Sequence, residues 1–271
     1  MGKVSSLSSG APSVAFWGER TPEEGAVCTL VIENLRLWLK RQGREWYLAH
    51  EYDPEQTGGE AFFTMTPEAP APEPAWRRYV TGREEKTVCI LPELPGRALV
   101  VHPEQSLVLT TGSEIRVFVA VPVSVRILAG EVVLDTLPTR ILSNTWFGEP
   151  AAGELCYALT SQAVRRLDGL ESGPDEAVCA VTILNRAGGE LDFQRFCMRV
   201  EHLSIYRGAS RLWTNSMRVE YRGEPGAGQV TISAKTPEYE KVEEKLTSAR
   251  RPAKKTLMTS SFHILKTLTG F

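Results

Sequence analysis

The feature that most constrains the fold is a strict alternation of apolar residues between Ile115 and Ile127. Every odd position in this stretch is β-branched and aliphatic, whereas the even positions include two arginines and a serine. A period of two sustained over this length is typical of a β-strand with one buried face, and a helical stripe would not keep it. Because Pro122 has no N–H to donate, we expect the strand to lie at a sheet edge, to bend or to bulge there.

The same alternation recurs along most of the chain. Leu35, Leu37 and Leu39 share one face, and a turn at "RQG" precedes Trp46, so residues 34–52 are predicted to form a β-hairpin. Gly-rich turns separate the later short strands at 177–184, 190–200, 202–207, 216–222 and 229–234. We therefore predict an all-β fold: an antiparallel β-sandwich main body with a smaller N-terminal β unit and a short C-terminal helix or tail.

Composition shifts suggest four regions. We expect a disordered, Ser-rich N-terminus, an N-terminal β unit that contains a Pro-rich loop at 64–76, a β-sandwich and a basic C-terminal tail or amphipathic helix. Their predicted bounds are 1–13, 14–96, 97–240 and 241–271.

The C-terminal region differs in charge from the rest. Residues 241–271 carry a net charge of +5, against −7 for the remainder. Their apolar residues recur at helical spacing, which favours a basic amphipathic helix. They are Leu257, Met258, Phe262, Leu265 and Leu268. This segment either packs on the body, frays as a tail, or docks on a partner protein or an anionic membrane surface.

Composition also excludes several classes. The chain has 31 Lys+Arg against 33 Asp+Glu, so we expect no general nucleic-acid binding. Its five cysteines are widely spaced and form no C-x-x-C pair, which argues against a disulfide framework or a zinc knuckle. Reduced thiols, together with the absence of a signal-like or membrane-spanning apolar run, lead us to expect a cytoplasmic protein.

Several longer motifs resemble a known family. They are "FWGERT", "LKRQGREWYLA", "LPELPGRALVVHPEQSLVL", "VFVAVPVSV", "LPTRILSNTWFGEPAAGELCYAL" and "ILNRAGGELDFQRFCMRVEHLSIY". Together they span most of residues 16–222, and the chain resembles the uncharacterised prokaryotic proteins catalogued as domain of unknown function 432. The resemblance implies a shared fold, and it carries over no activity and no catalytic residue.

No familiar catalytic or cofactor motif is present. The sequence lacks a dinucleotide-binding glycine pattern, a phosphate-binding GK[ST] loop, a nucleophile elbow and a zinc-binding H-E-x-x-H. We therefore expect no cofactor and no metal site, and we lean against an enzyme.

Residues 143–160, "SNTWFGEPAAGELCYALT", contain the first candidate site. Alternation places Leu155, Tyr157 and Leu159 on one face and Glu154 with Cys156 on the other. We expect the larger apolar row to face the core and Cys156 to point away from it. A nucleophilic Cys156 would need a base such as His102 or His202, and Glu154 beside it would raise its pKa.

Trp146 and Phe147 precede that strand in a loop with defined turn chemistry. The simpler interpretation is an aromatic plug that closes one end of the sandwich, because large aromatic side chains are mostly buried. The alternative is an aromatic platform that contacts a ligand or partner.

A second candidate site comprises Arg195, Cys197 and Arg199, at alternate positions of one strand. Two cations beside a thiol would lower its pKa and could hold a carboxylate or phosphate. Ordinary ion pairs with neighbouring acids are the simpler interpretation. The apolar face also switches near Gln194, which predicts a bulge.

These observations favour a non-catalytic binding or scaffold β-module that uses the Trp146/Phe147 loop or the C-terminal tail. The alternative is a small-anion-binding protein or a thiol-dependent enzyme, with its site near Arg195, Cys197 and Arg199 or in the Trp146–Cys156 loop.

Overall fold

A computed structural model describes residues 16–53, 61–66, 74–223, 227–252 and 257–263. The predicted disordered N-terminus, residues 1–13, lies outside these ranges. Within them the regular secondary structure is almost entirely β-strand, with short 3-10 segments at Leu167–Gly169 and Val200–His202. The strands, in chain order, are β1 Gly18–Arg20, β2 Val27–Ile32, β3 Leu35–Gln42, β4 Glu45–Tyr52, β5 Ala61–Thr66, β6 Arg77–Val80, β7 Val88–Glu93, β8 Leu99–Val101, β9 Leu107–Leu109, β10 Glu114–Pro122, β11 Ser124–Ala129, β12 Val132–Pro138, β13 Asn144–Phe147, β14 Glu154–Ala158, β15 Glu176–Asn185, β16 Leu191–Phe193, β17 Arg195–Met198, β18 Ile205–Gly208, β19 Leu212–Thr214, β20 Met217–Tyr221, β21 Ala227–Ile232, β22 Val242–Thr247, β23 Leu257–Ser260 and β24 Phe262–His263.

These strands form four larger sheets and one two-stranded ribbon, β16-β9. The N-terminal sheet has the order β5-β2-β3-β4-β6, and the bridging sheet has the order β1-β7-β11-β12. The main sheet runs β22-β18-β19-β15-β20-β21-β23, with β10 also paired to β15. The thiol sheet, named for its two cysteines, runs β13-β14-β8-β17-β24. Most neighbours are antiparallel, and the parallel pairs are β14 with β8 and β15 with both β19 and β20. The predicted all-β, mainly antiparallel class is confirmed.

The alternating stretch forms two strands rather than one. All its odd-numbered residues are buried, as predicted, but β10 ends at Pro122 and β11 begins at Ser124. β10 pairs along its length with β15 in the main sheet, whereas β11 pairs with β7 and β12 in the bridging sheet. The bend predicted at Pro122 is therefore the corner where the chain passes from one sheet to the next.

The predicted N-terminal hairpin is confirmed. β3 and β4 pair from Leu35 opposite Tyr52 to Gln42 opposite Glu45, and Gly43 supplies the positive φ of the turn. The bridging sheet joins β7 to β11 and β12, so one sheet spans the boundary that we predicted after residue 96. The Pro-rich loop begins later than expected because β5 extends to Thr66, and residues 67–73 lie outside the described residues.

The predicted C-terminal amphipathic helix is wrong for the described part of the tail. Leu257–Ser260 form a strand that pairs with β21, and Phe262–His263 pair with β17. The intervening run "TSS" supplies residues with poor helix propensity, and Phe262 gains burial against Phe193, 5.4 Å away between ring centroids. The remaining apolar positions of the predicted helix, Leu265 and Leu268, lie outside the described residues.

The beginning of the tail packs on the body. Strand β22 pairs with β18, and the Arg251 N–H donates a hydrogen bond to the Glu201 carbonyl at 2.9 Å. The Arg250 guanidinium donates to the carbonyls of Leu94 and Pro95. Residues 242–251 are thus part of the folded body.

A buried ion pair closes the corner at Pro122. Asp175 is 0% exposed, and its Oδ2 accepts hydrogen bonds from Arg140 Nε at 3.0 Å and Nη2 at 2.7 Å. The Asp175 carbonyl accepts from the N–H of Val123, directly after Pro122. Arg140 Nη1 also lies 3.2 Å from Glu176 Oε1. Burial raises the pKa of Glu176, and Arg140 opposes that shift.

We predict that Arg140→Met lowers the free energy of unfolding by about 3 kcal/mol or more at pH 7, because it leaves two acids buried without their cation. Without Arg140 the folded-state pKa of Glu176 rises further above its unfolded value. A group with a raised folded-state pKa stabilises the fold at low pH and loses that contribution as pH rises. The difference in free energy of unfolding between wild type and Arg140→Met should therefore shrink on acidification. Urea unfolding at several pH values measures it.

The matched control is Arg166→Met, since the Arg166–Asp168 pair is 82% and 77% exposed in its side chains. This substitution should cost less than about 1 kcal/mol. Equal losses in the two variants would contradict a special role for the Arg140–Asp175 pair.

Candidate functional site

The thiol sheet brings the two candidate sites together. Its strand β14 carries Glu154 and Cys156, and β17 carries Arg195 and Cys197. The short strand β8 lies between them, parallel to β14 and antiparallel to β17. Stretches that are distant in sequence therefore lie two strand positions apart in one sheet.

Strand alternation places the side chains of both sites on one face of this sheet. Cys156 and Cys197 are each 0% exposed and form a small apolar cluster, separate from the main core, with Ala98, Val100 and Phe147. The opposite face, which includes Leu99, Val101, Phe196 and Met198, packs into the main core. The thiol sheet is thus buried on both faces at its centre.

The aromatic pair divides between these two faces. Phe147 is 1% exposed and packs in the thiol cluster, whereas Trp146 is 46% exposed. Trp146 is nevertheless ordered, because its Nε1–H donates to the Glu149 carbonyl at 3.1 Å. A Cβ at Gly153 would lie 2.4 Å from that Nε1, so Gly153 is required for this packing. The plug interpretation fits Phe147, and the platform interpretation fits Trp146.

The prediction that Leu155 faces the core and Cys156 points away from it was wrong. Leu155 is 45% exposed, whereas Cys156 is fully buried. Tyr157 and Leu159 do contact the main core, so only the first residue of the predicted row is misplaced. Leu155 lies opposite Trp146 at the outer end of the hairpin, beyond the reach of the main core.

The charged residues of the two sites are already paired. Arg199, directly after β17, forms a two-pronged ion pair with Glu154. Burial alone would lower the pKa of Arg199, but the hydrogen bonds that it donates to Glu154 and the surrounding negative groups raise it overall. The Arg195 guanidinium carbon lies 5.8 Å from the centre of the Phe147 ring. The second candidate site is thus an ion pair and a cation–π contact.

The two thiols contact each other. The donor atoms of Glu154, Cys156 and Cys197 all lie within 4.8 Å of one another. The interaction between the two thiols lowers the pKa of Cys156 and raises that of Cys197. Glu154 opposes ionisation of Cys156, as expected, but Arg199 and Cys197 act the other way. Sequence spacing gave no sign of this thiol pair.

Neither candidate base reaches Cys156. His102 is exposed, and His202 Nδ1 lies 2.5 Å from the Arg251 carbonyl oxygen, with its Nε2 3.8 Å from Glu201 Oε1. The cluster can hold a proton, a thiolate stabilised by Arg199 or a cation, but it offers a nucleophile no general base among the described residues.

The predicted bulge near Gln194 is instead a change of sheet. Leu191 and Phe193 belong to β16, which pairs with β9, whereas Phe196 and Met198 belong to β17 in the thiol sheet. The buried face switches because the two strands pack in different places.

The chain is thus an all-β protein of several packed sheets, with a closed thiol–carboxylate cluster in one of them. Among the described residues no helix is long and apolar enough to span a membrane. Residues 16–266 match the family model for the protein of unknown function DUF432, and the chain belongs to that family. No curated protein and no solved structure matches it.

We predict that the Glu154–Arg199 pair contributes a coupling free energy of about 1–2 kcal/mol in a double-mutant cycle, because Arg199 is 13% exposed and would otherwise bury an unpaired cation. The cycle uses Glu154→Gln, Arg199→Met and the double variant, measured by urea unfolding. Arg116 and Glu238, 50% and 74% exposed, serve as the control pair and should couple by less than about 0.5 kcal/mol. Equal coupling in the two pairs would contradict the prediction.

Proposed function

We propose that this protein is a non-catalytic scaffold module that self-associates through strand β13. The observation that carries the proposal is the outer edge of the thiol sheet. Strand β13, Asn144–Phe147, is the last strand on its side and carries neither a charge nor a proline. Natural proteins usually protect such an edge with charged residues, proline or a covering segment.

The hydrogen-bonding pattern identifies which backbone groups are available. The Ala158 N–H donates to the Ser143 carbonyl at 2.8 Å, which makes this a hydrogen-bonded pair of the antiparallel ladder. Such pairs alternate with non-bonded pairs, so Asn144 and Trp146 direct their N–H and C=O groups away from β14. No other described strand pairs with these groups.

A second copy of β13 fits this edge in an antiparallel register. Asn144 of each copy lies opposite Trp146 of the other, and Thr145 lies on the two-fold axis. Each of these two pairs can exchange both of its backbone hydrogen bonds. The contact is isologous, as in most homodimers, and brings no like charges of β13 together. Each copy would extend the thiol sheet of the other.

Side chains beside this edge supply apolar area. Trp146 and Leu155 are cross-strand neighbours, 46% and 45% exposed, and Trp146 is the exposed member of the six tryptophans. An ordered, half-exposed tryptophan is a frequent energetic anchor of protein interfaces. The edge and the apolar pair together favour a protein contact at this end of the sheet.

The alternative, a small-anion-binding or thiol-dependent site, has weaker support. Both thiols of the cluster are fully buried, and the Arg199 guanidinium is already engaged by Glu154. A membrane or partner contact through the tail is also less favoured, since Arg250 is bound to body carbonyls. The proposal includes a cytoplasmic, prokaryotic setting, in which five free cysteines would stay reduced.

Asn144→Pro tests the proposal directly. Wild-type protein should show twice the chain mass of 30.0 kDa in light scattering after size exclusion at high concentration. The proline removes an N–H that faces outward, so it should abolish the dimer and leave the β13–β14 hairpin intact. A wild-type monomer at every concentration would contradict the proposal.

Asn144→Ala is the matched control. It removes the hydrogen bond that the Asn144 side chain accepts from Arg97 but keeps the backbone N–H, so the dimer should persist. Trp146→Ala should raise the dimer dissociation constant about tenfold or more. Circular dichroism and melting temperature of each variant report whether the fold is retained.

A further inference from the structure

We propose that Glu154, Cys156 and Cys197 form a binding site for a divalent metal ion of the zinc class. The three side chains offer two sulfur ligands and one oxygen ligand from two strands of the thiol sheet. Zinc binds cysteine thiolates and carboxylates, and structural zinc sites are four-coordinate and tetrahedral, with no open ligand position. The proposal is independent of the association through β13.

The donor separations suit a tetrahedral ion. All three donor atoms lie within 4.8 Å of one another. Zinc–sulfur bonds of about 2.3 Å place two tetrahedral ligands about 3.8 Å apart. Side-chain adjustments of an ångström or less would therefore bring the donors to bonding distance, without a change in the sheet.

The same geometry disfavours a disulfide. Strand β8 lies between β14 and β17, so the two Cα atoms are separated by two strand spacings, about 9.5 Å. A disulfide requires Cα atoms within about 7 Å. A metal ion can bridge thiols whose backbones are this far apart, because it adds two metal–sulfur bonds between them.

The charges around the cluster balance a bound dication. Binding would release one proton from each thiol, giving two thiolates and the Glu154 carboxylate against the metal and Arg199, which sum to no net charge. Coordination by the Glu201 carboxylate as well would bring the total to −1. A carboxylate has about four lone-pair sites, so the two used by Arg199 leave others for the ion. Arg199 would then act as a positioning residue that orients the ligand.

A further oxygen donor lies near this cluster. Glu201 Oε2 is buried and accepts no hydrogen bond among the described residues. Glu201 is close enough to act electrostatically on both Cys156 and Arg199. A buried carboxylate oxygen without a partner is costly, and metal coordination would satisfy it. The Glu201 oxygens lie outside the group of donors that are within 4.8 Å of one another, so Glu201 would become the fourth ligand only by a change of side-chain conformation.

The test is metal titration of the full chain, prepared under reducing conditions and stripped by a chelator. Zinc should bind with a stoichiometry of one, measured by elemental analysis after removal of free ion. Cobalt should give the visible absorption of a tetrahedral site with thiolate ligands, and zinc should displace it. Added zinc should also raise the melting temperature of the wild type.

Variants separate this site from the other thiols. Cys156→Ser and Cys197→Ser should each abolish the cobalt spectrum, whereas Cys89→Ser, which removes a partly buried thiol in β7, should leave it unchanged. Arg199→Lys should keep the spectrum and weaken binding about 10–100-fold, as expected for a residue that orients a ligand. Glu201→Gln should weaken binding and alter the cobalt band.

Three results would overturn the proposal. The wild-type protein could bind less than a tenth of an equivalent of zinc, or folded Cys156→Ser could still bind cobalt. The third result is a Cys156–Cys197 disulfide detected in the native protein by mass spectrometry. If a serine variant does not fold, alkylation of the wild-type protein still tests the metal site. Zinc should then protect two cysteines from alkylation in mild denaturant, and equal labelling with and without zinc would contradict the site.

Discussion

The rest of the structure depends on a buried salt bridge between Arg140 and Asp175. Asp175 accepts hydrogen bonds from Arg140, and its carbonyl accepts the Val123 N–H at the corner between β10 and β11. The preceding carbonyl, of Pro174, accepts the Trp17 Nε1–H at 3.2 Å. Three segments therefore meet at one point: the segment that contains Trp17, the corner between two sheets and the segment after β12. A buried charge of this kind is a weak source of net stability, but it strongly disfavours any arrangement that leaves it unpaired.

The thiol sheet depends in the same way on strand β8, which is three residues long. β8 pairs with β14 on one side and β17 on the other, and it is the element that brings Cys156 and Cys197 to one face. The contacts of the candidate site are consequently non-local. They exist only after β8 has inserted between strands that come much later in the chain.

Local pattern predicted the elements well but not their partners. The alternation from Ile115 to Ile127, the hairpin at 34–52 and the break at Pro122 all depend on side-chain periodicity and turn chemistry, which a sequence displays directly. The burial of Cys156 and the exposure of Leu155 depend on which segments cover each end of a strand, and no local pattern encodes that. The tail illustrates the same limit: Met258 and Phe262 have helical spacing, but pairing with β21 and β17 decides their conformation. Arg140 and Asp175 were missed because neither residue stands out from its neighbours by spacing.

Strand β13 connects the two proposed sites, since Trp146 and Phe147 are successive residues on opposite faces of it. Phe147 packs against the thiol cluster, while Trp146 lies beside the open edge. A metal ion that tied β14 to β17 would restrict the hairpin that carries both aromatics. A second copy paired along the edge would restrict the same hairpin from the other side. Metal binding and association would therefore act on the same short hairpin, one on its buried face and the other at its open edge.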